Sequence, residues 1–246
     1  MFDQYVEILP TSMDLFYREA PKPPHVFSRV LFESLIQRAA RQVVLGPERR
    51  AVRFSVVDSA AKWAQIRMLR LNTYTGPLAY MRNMVSADGV DSYDARSVVF
   101  GAWVGEEPIA TVRLTAWPFE LATLISAERL AAFVPEERRH ETLEFTRLIS
   151  IKRPGLSRVM PGLIMYSGLT LAMNTGCRYY IGYTKSDFSK LFNKFMCDTD
   201  SESFTIPIRG DHRYSIINGE FRKDIHSVID QHARVPFFGS AIKAFV

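Results

Sequence analysis

Charged side chains set inside apolar strands are the residues of this sequence best placed to do chemistry. Arg113 lies in ATVRLT, and Glu144, Thr146 and Arg147 lie in LEFTRLIS. Arg70 and Tyr74 stand four residues apart at the end of a helical pattern, so they share a helix face. Asp91 and Asp94 fall in the polar passage SADGVDSYDARS. A charge is costly to bury alone, so Arg113 and Arg147 are expected to meet Asp91, Asp94 or Glu144 in one network. Such a network serves either an active site or a purely structural set of ion pairs, and the residues alone leave both open. With regular strand alternation, Glu144 and Thr146 point to one face and Arg147 to the other.

Other chemistries lack their residues. There is no Walker A loop, no GxGxxG after a strand, no GxSxG elbow and no HExxH. The histidines His25, His140, His212, His226 and His232 are isolated. Cys177 and Cys197 form no CxxC and no Cys/His cluster, so no metal site is expected; both read as small core residues in a reducing compartment. An enzyme built from this chain must therefore work with carboxylates, arginines and backbone amides.

The elements that must position these groups alternate along the chain. PKPP breaks the chain at 21–24, and a helical pattern then carries Val26, Phe27, Val30, Leu31, Leu35, Ala39 and Val43 until Gly46-Pro47 stops it. Residues 1–50 thus read as an N-terminal helical extension on a main domain of 51–246. Val52, Phe54 and Val56 alternate as a strand, and Asp58 is the expected N-cap of a helix bearing Trp63, Ile66 and Leu69. Val98–Val104 and Pro108–Thr115 make a hairpin around GEEP. A helix over Phe119–Phe133, a strand over Leu143–Ile151 and a long helix over about 158–175, capped by Gly176, come next. CRYYIGYT is a strand, SDFSKLFNKFM a helix, and SFTIPIR and YSIIN close the pattern as strands. The order predicts an α/β (α+β) fold, a mixed central sheet flanked by helices.

Composition narrows the setting. With 47% hydrophobic and 23% charged residues the chain is globular rather than disordered. Its net charge of +5 is scattered, as in GPERRAVR and PEERRHE, which suits an acidic partner. No zinc finger, RRM signature or basic zipper is present, so nucleic acid is not an expected partner. MFDQYVEILP lacks the basic and long apolar regions of a signal peptide. The longest uncharged stretch, Val159 to Cys177, is interrupted by Pro161, Gly162, Gly168 and Asn174 and reads as a buried helix rather than a membrane span. The expectation is a cytoplasmic protein with no transmembrane segment.

Taken in order, R-x3-Y (Arg70, Tyr74), D-x2-D (Asp91, Asp94), an xRL strand (Arg113-Leu114) and E-x-[S/T]-R (Glu144 to Arg147) resemble the acyl-homoserine lactone (autoinducer) synthases. They equally resemble the long-chain N-acyl amino acid synthases; both groups belong to the GNAT-like acyltransferase superfamily, and the resemblance implies a bacterial protein. The resemblance covers roughly residues 52–200. It implies a GNAT-like sheet and the transfer of a fatty acyl group to an amine. Arg70, Tyr74, Asp91, Asp94 and Arg113 then shape the acceptor side, and Glu144, Thr146 and Arg147 lie on the strand beside the thioester. Glu144 is the implied base, acting directly or through water, because an ammonium must lose a proton before its nitrogen attacks. We further expect Arg113 to bind the acceptor's carboxylate.

Departures from the family pattern point to the donor and the branch. The loop that grips coenzyme A pyrophosphate in this superfamily reads [Q/R]-x-x-G-x-[G/A], and KRPGLSRVMPG does not fit it. The implied donor is an acyl group on the phosphopantetheine of an acyl carrier protein, with acyl-CoA as the alternative and no cofactor held permanently. Lys152, Arg153 and Arg158 would meet the carrier's acidic surface. TYTGPLAYMRNM lacks the tryptophan of the homoserine lactone synthases, and the extension before residue 52 is long for them. Both favour N-acylation of an amino acid over lactone synthesis from S-adenosylmethionine. A third reading, of a different class, is a non-catalytic module that binds an acyl chain or carrier protein. The apolar helix around Leu163–Met173 and the strand Tyr179–Tyr183 read mostly as core packing, with the lining of an acyl tunnel, covered by the N-terminal helix, as the alternative.

Overall fold

The structure, a computed structural model, describes residues 26–193, 198–221 and 223–224. Cys197, His25, His226, His232, the PKPP breaker and the end of the SDFSKLFNKFM helix lie outside these residues. Seven strands form one sheet: β1 (Val52–Val56), β2 (Ser97–Val104), β3 (Glu107–Ala116), β4 (Thr142–Ser150), β5 (Tyr179–Lys185), β6 (Asp198–Thr205) and β7 (Arg213–Glu220). Their order is β1-β2-β3-β4-β5-β7-β6, antiparallel throughout except for the β4–β5 pair. The helices are α1 (Val26–Val43), α2 (Ala60–Thr73), α3 (Ala127–Phe133), α4 (Val159–Asn174) and α5 (Ser186–Asn193).

Across β2–β4, one face of the sheet carries the main apolar core. Val98, Phe100 and Ala102 of β2, Ala110, Val112 and Leu114 of β3, and Leu143 and Phe145 of β4 pack there against Leu163, Tyr166 and Leu169 of α4. An apolar helix needs cover on both sides. The sheet covers one side of α4, and Ile36, Ala39, Ala40 and Val43 of α1 join the same core. The two helices approach closely at Gly162, where an added Cβ would lie 2.9 Å from both the Ala40 carbonyl oxygen and the Val44 side chain. Of the two readings of this helix, core packing is the one observed among the described residues: Leu163, Tyr166 and Leu169 lie in the core.

The opposite face carries two separate apolar clusters. Trp63, Ile66 and Leu69 of α2 cover Val99, Trp103 and Ile149, while Phe119, Leu121, Leu130 and Val134 cover Ile181 and Ile216. Arg113, Thr115, Glu144 and Thr146 share this face and belong to neither cluster. No helix of the described residues is long and apolar enough to cross a membrane.

Several boundaries differ from expectation for local reasons. Ser59, not Asp58, caps α2, its hydroxyl accepting the Lys62 amide at 3.3 Å, while Asp58 pairs with the Lys62 ammonium. The expected helix over Phe119–Phe133 splits into a 3-10 turn, Leu121–Thr123, and α3, because Ser126 caps a new start by accepting the Arg129 amide. Thr175 rather than Gly176 closes α4, its amide and hydroxyl both donating to the Leu171 carbonyl. In SFTIPIR the strand stops at Thr205, and Pro207–Arg209 form a 3-10 turn that carries Arg209 inward.

Candidate active site

The D-x2-D spacing folds as a turn tied by its own carboxylates. Asp94 accepts the Asp91 amide and Asp91 the Tyr93 amide, each at 2.9 Å. Arg70, in the last turn of α2, forks onto both oxygens of Asp94, with Nη2 to Oδ1 at 2.9 Å. That pair is closed. Asp91 turns the other way, to Arg113 and to Nε of Arg147 at 2.6 Å. Tyr74 caps α2 beside them, buried and with its hydroxyl unpartnered.

The centre of the network is a residue absent from the sequence expectation, Glu120. It receives Nη2 of Arg113 at 2.6 Å, Nη2 of Arg147 at 3.1 Å and Nη2 of Arg209 at 2.9 Å. Arg113 also donates Nε to the Thr146 hydroxyl at 2.9 Å. All three of its nitrogens are thus engaged in the network, and an acceptor carboxylate would meet only the second hydrogens of Nη1 and Nη2. Thr146, having accepted from Arg113, keeps its hydroxyl hydrogen for another acceptor.

Arg147 corrects the alternation argument. Arg113 stands opposite Thr146 and Thr111 opposite Ile149, so Arg147 and Leu148 together face Val112 in a bulge. Arg147 has φ 53°, a left-handed conformation that costs a non-glycine residue about 1–2 kcal/mol. The bulge brings its side chain to the face of Thr146 instead of the opposite one. Charge-assisted bonds to Asp91 and Glu120 offset the strain.

Glu144 joins the cluster through the backbone. It is fully buried, and its two oxygens accept the amides of Glu120 and Leu121, both at 2.7 Å. Burial, and then the neighbouring Glu120 carboxylate, push its pKa up to about 7 against those amides and Arg113. Asp91 and Glu120 behave oppositely. Burial would raise them, but the guanidiniums of Arg147 and Arg113, joined at Glu120 by Arg209, hold both below the usual carboxylate range. One carboxylate in the group is therefore poised to exchange a proton near neutrality, while the others stay ionised.

A structural opening lies next to Glu144. The parallel β4–β5 pairing runs only from Thr142–Tyr179 to Phe145–Gly182, though β4 continues to Ser150 and β5 to Lys185. Gly182 permits the last close approach, since a Cβ there would lie 2.8 Å from the Phe145 carbonyl oxygen. Beyond it each strand pairs only on its outer side, leaving a wedge flanked by the Arg147 bulge.

Arg70, Asp91, Asp94, Arg113, Glu144, Thr146 and Arg147 are thus assembled in one place. Lys152, Arg153 and Arg158 are apart from it, on the loop between β4 and α4. Lys152 and Arg158 are exposed, while Arg153 bridges to Glu48 and Glu107. Glu120, Tyr183 and Arg209 were missed as site residues. The rule that flagged Arg113, a charge inside an apolar run, applies equally to Glu120 in AWPFELAT and Arg209 in TIPIRG.

No protein-family model matches this chain. No curated protein matches it in sequence. Solved structures do. The CoA-dependent acyl-homoserine lactone synthase MesI is 12% identical over 75% of this chain and 96% of its own, with a TM-score of 0.55. FeeM, an N-acyl amino acid synthase from uncultured soil microbes, is 14% identical over 73% and 96%, with a TM-score of 0.54. BjaI, a CoA-dependent acyl-homoserine lactone synthase whose structure holds SAM and isopentyl-CoA, is 14% identical over 74% and 91%, with a TM-score of 0.52. The chain has the GNAT-like fold that these acyltransferases share, as the motif series predicts.

Proposed function

We propose that this protein is an N-acyltransferase that moves a fatty acyl group from the phosphopantetheine of an acyl carrier protein to the amine of an amino acid or related acceptor. The observation that carries the reading is the wedge between β4 and β5, lying beside a buried carboxylate whose pKa is about 7. In this reading the pantetheine arm enters the wedge along β4. Glu144 takes a proton from the acceptor's ammonium, directly or through one water. The freed nitrogen attacks the thioester carbonyl, the N–C bond forms, the C–S bond breaks, and the thiolate leaves to be protonated. In this reading the Arg147 bulge and the Thr146 hydroxyl supply the donors to the developing oxyanion.

The acyl chain has an apolar resting place outside the closed core. A groove of 610 Å³ between α2 and the ends of β3 and β4 is lined in part by Met68, Leu69, Pro108 and Ile151. For the donor, Gly162 in the first turns of α4 is taken up by packing against α1, which supports a carrier-presented phosphopantetheine over a coenzyme A cradle. Lys152 and Arg158 stay exposed nearby for an acidic carrier, whereas Arg153 is engaged. Lactone synthesis from S-adenosylmethionine is the second reading, favoured by the likeness to MesI and BjaI.

Incubating the purified protein with dodecanoyl carrier protein, dodecanoyl-CoA, the twenty amino acids and S-adenosylmethionine, followed by mass spectrometry, separates these readings. N-dodecanoyl amino acids are expected. A dodecanoyl homoserine lactone with released methylthioadenosine would move the protein to the second reading, and binding of the acyl carrier without any transfer would make it a non-catalytic module.

A further inference from the structure

Two cations on the sheet face that carries Glu144, Arg209 and Lys185, keep donor capacity; the Nε of Arg70 is equally unpartnered, but both of its Nη groups are forked onto Asp94. Arg209 is 2% exposed and rides on the turn Pro207–Arg209. Its Nη2 reaches Glu120 and the Tyr183 hydroxyl, each at 2.9 Å, but its Nε is buried without a partner. A buried donor left unpaired carries a desolvation cost that a ligand oxygen would relieve. Charge points the same way. With Arg70 and Asp94 closed on each other, Arg113, Arg147 and Arg209 share only Asp91 and Glu120, and Glu144 adds a third negative charge only when ionised.

Lys185, the last residue of β5, lies at the open end of the wedge. Its Nζ sits 4.6 Å from the Tyr80 ring centroid, and among the described residues it makes no ion pair. Tyr80 meets His212 at a tilt, with ring centroids 4.8 Å apart and planes at 57°. Tyr214, opposite Lys185 in the β5–β7 register, has its ring centroid 5.8 Å from the Arg209 guanidinium. Tyrosine rings therefore connect the lysine at the lip, which makes no ion pair among the described residues, with the incompletely paired arginine at the floor. Both offer donors only, and a carboxylate is acceptor-only.

We propose that Lys185 and Arg209 hold the acceptor's carboxylate, so that the acceptor is an α-amino acid recognised as a zwitterion rather than a simple amine. This rests on the acyl-transfer reading and makes these two residues its specificity determinants. The donor's phosphate is the other anion of the reaction. Its place is the basic loop leading into α4, which packs on the opposite face of the sheet.

Calorimetric titration with two product analogues, one charged and one neutral, tests it: N-octanoylglycine and its decarboxylated counterpart N-methyloctanamide. The parent protein is expected to bind the carboxylate at least tenfold more tightly. Lys185→Met, at a site with no ion pair to lose among the described residues, and Arg209→Lys, which keeps the charge but loses the planar fork, should each cut that preference to threefold or less. Equal affinity for the two ligands in the parent, or a preference unchanged in both variants, would overturn the proposal. Failure to bind either ligand would overturn it together with the acyl-transfer reading. A carboxylate preference that collapses in the variants, in a protein that transfers no acyl group, would sustain the anion site and remove only the transferase reading.

Discussion

At the scale of single residues, Glu144 and Arg147 make opposite demands on the fold. Glu144 has its pKa raised from 4.5 to about 7, so its protonated form is favoured by folding. Its stabilising contribution is complete below about pH 4.5 and is lost as pH rises through 7, a decline on the order of 3 kcal/mol. Thermal unfolding followed from pH 5 to 8 should show Tm falling, and the fall should disappear in Glu144→Gln. Asp91 and Glu120 run the other way: their stabilisation is present at neutral pH and is lost as pH falls through their depressed values. Arg147 sits at a left-handed bulge, so Arg147→Gly should be more stable than Arg147→Ala by about 1 kcal/mol in denaturant unfolding. That is the reverse of the usual order within a strand. Most of this cluster was legible, because charged residues in apolar strands must find one another. Glu120 and Arg209 escaped because the segments holding them were read as a helix and a strand, where a single charge passes as a surface residue. The bulge was invisible, since nothing in LEFTRLIS marks a left-handed arginine.

Among the elements, the strands of the sheet and the helices α1, α2 and α4 followed from periodicity and punctuation. The 3-10 turns did not. Leu121–Thr123 exists because Glu144, far away in sequence, binds the amides of Glu120 and Leu121, and that long-range bond has no local signature. The α1–α4 contact was only half visible: the amphipathic pattern of α1 demanded a surface, but nothing in the sequence said that α4 supplies it. Gly162→Val tests this contact. The added side chain meets the Ala40 carbonyl and Val44, and overpacking of this kind costs about 1–3 kcal/mol. A Tm lower by roughly 5 °C is expected from differential scanning fluorimetry.

For the molecule as a whole, the sheet sorts its two faces by task. The apolar face holds α4 and α1 and gives stability, while the other carries the charged cluster and the approach to Glu144. On the proposed function, the loop between β4 and α4 receives the carrier protein. Lys152→Glu combined with Arg158→Glu should then raise KM for an acyl carrier protein about tenfold, an effect weakened by salt, and leave KM for a small pantetheine thioester unchanged. Steady-state assays with both donors decide it.

The most direct measurement is the rate of acyl transfer from dodecanoyl carrier protein as a function of pH, for the parent and for Glu144→Gln verified as folded by circular dichroism. Acyl transfer on Glu144 predicts a rate that rises with pH, with a break near 7, and a loss of at least about 100-fold in the variant. A folded Glu144→Gln protein that turns over at the parent rate with the same profile would contradict it.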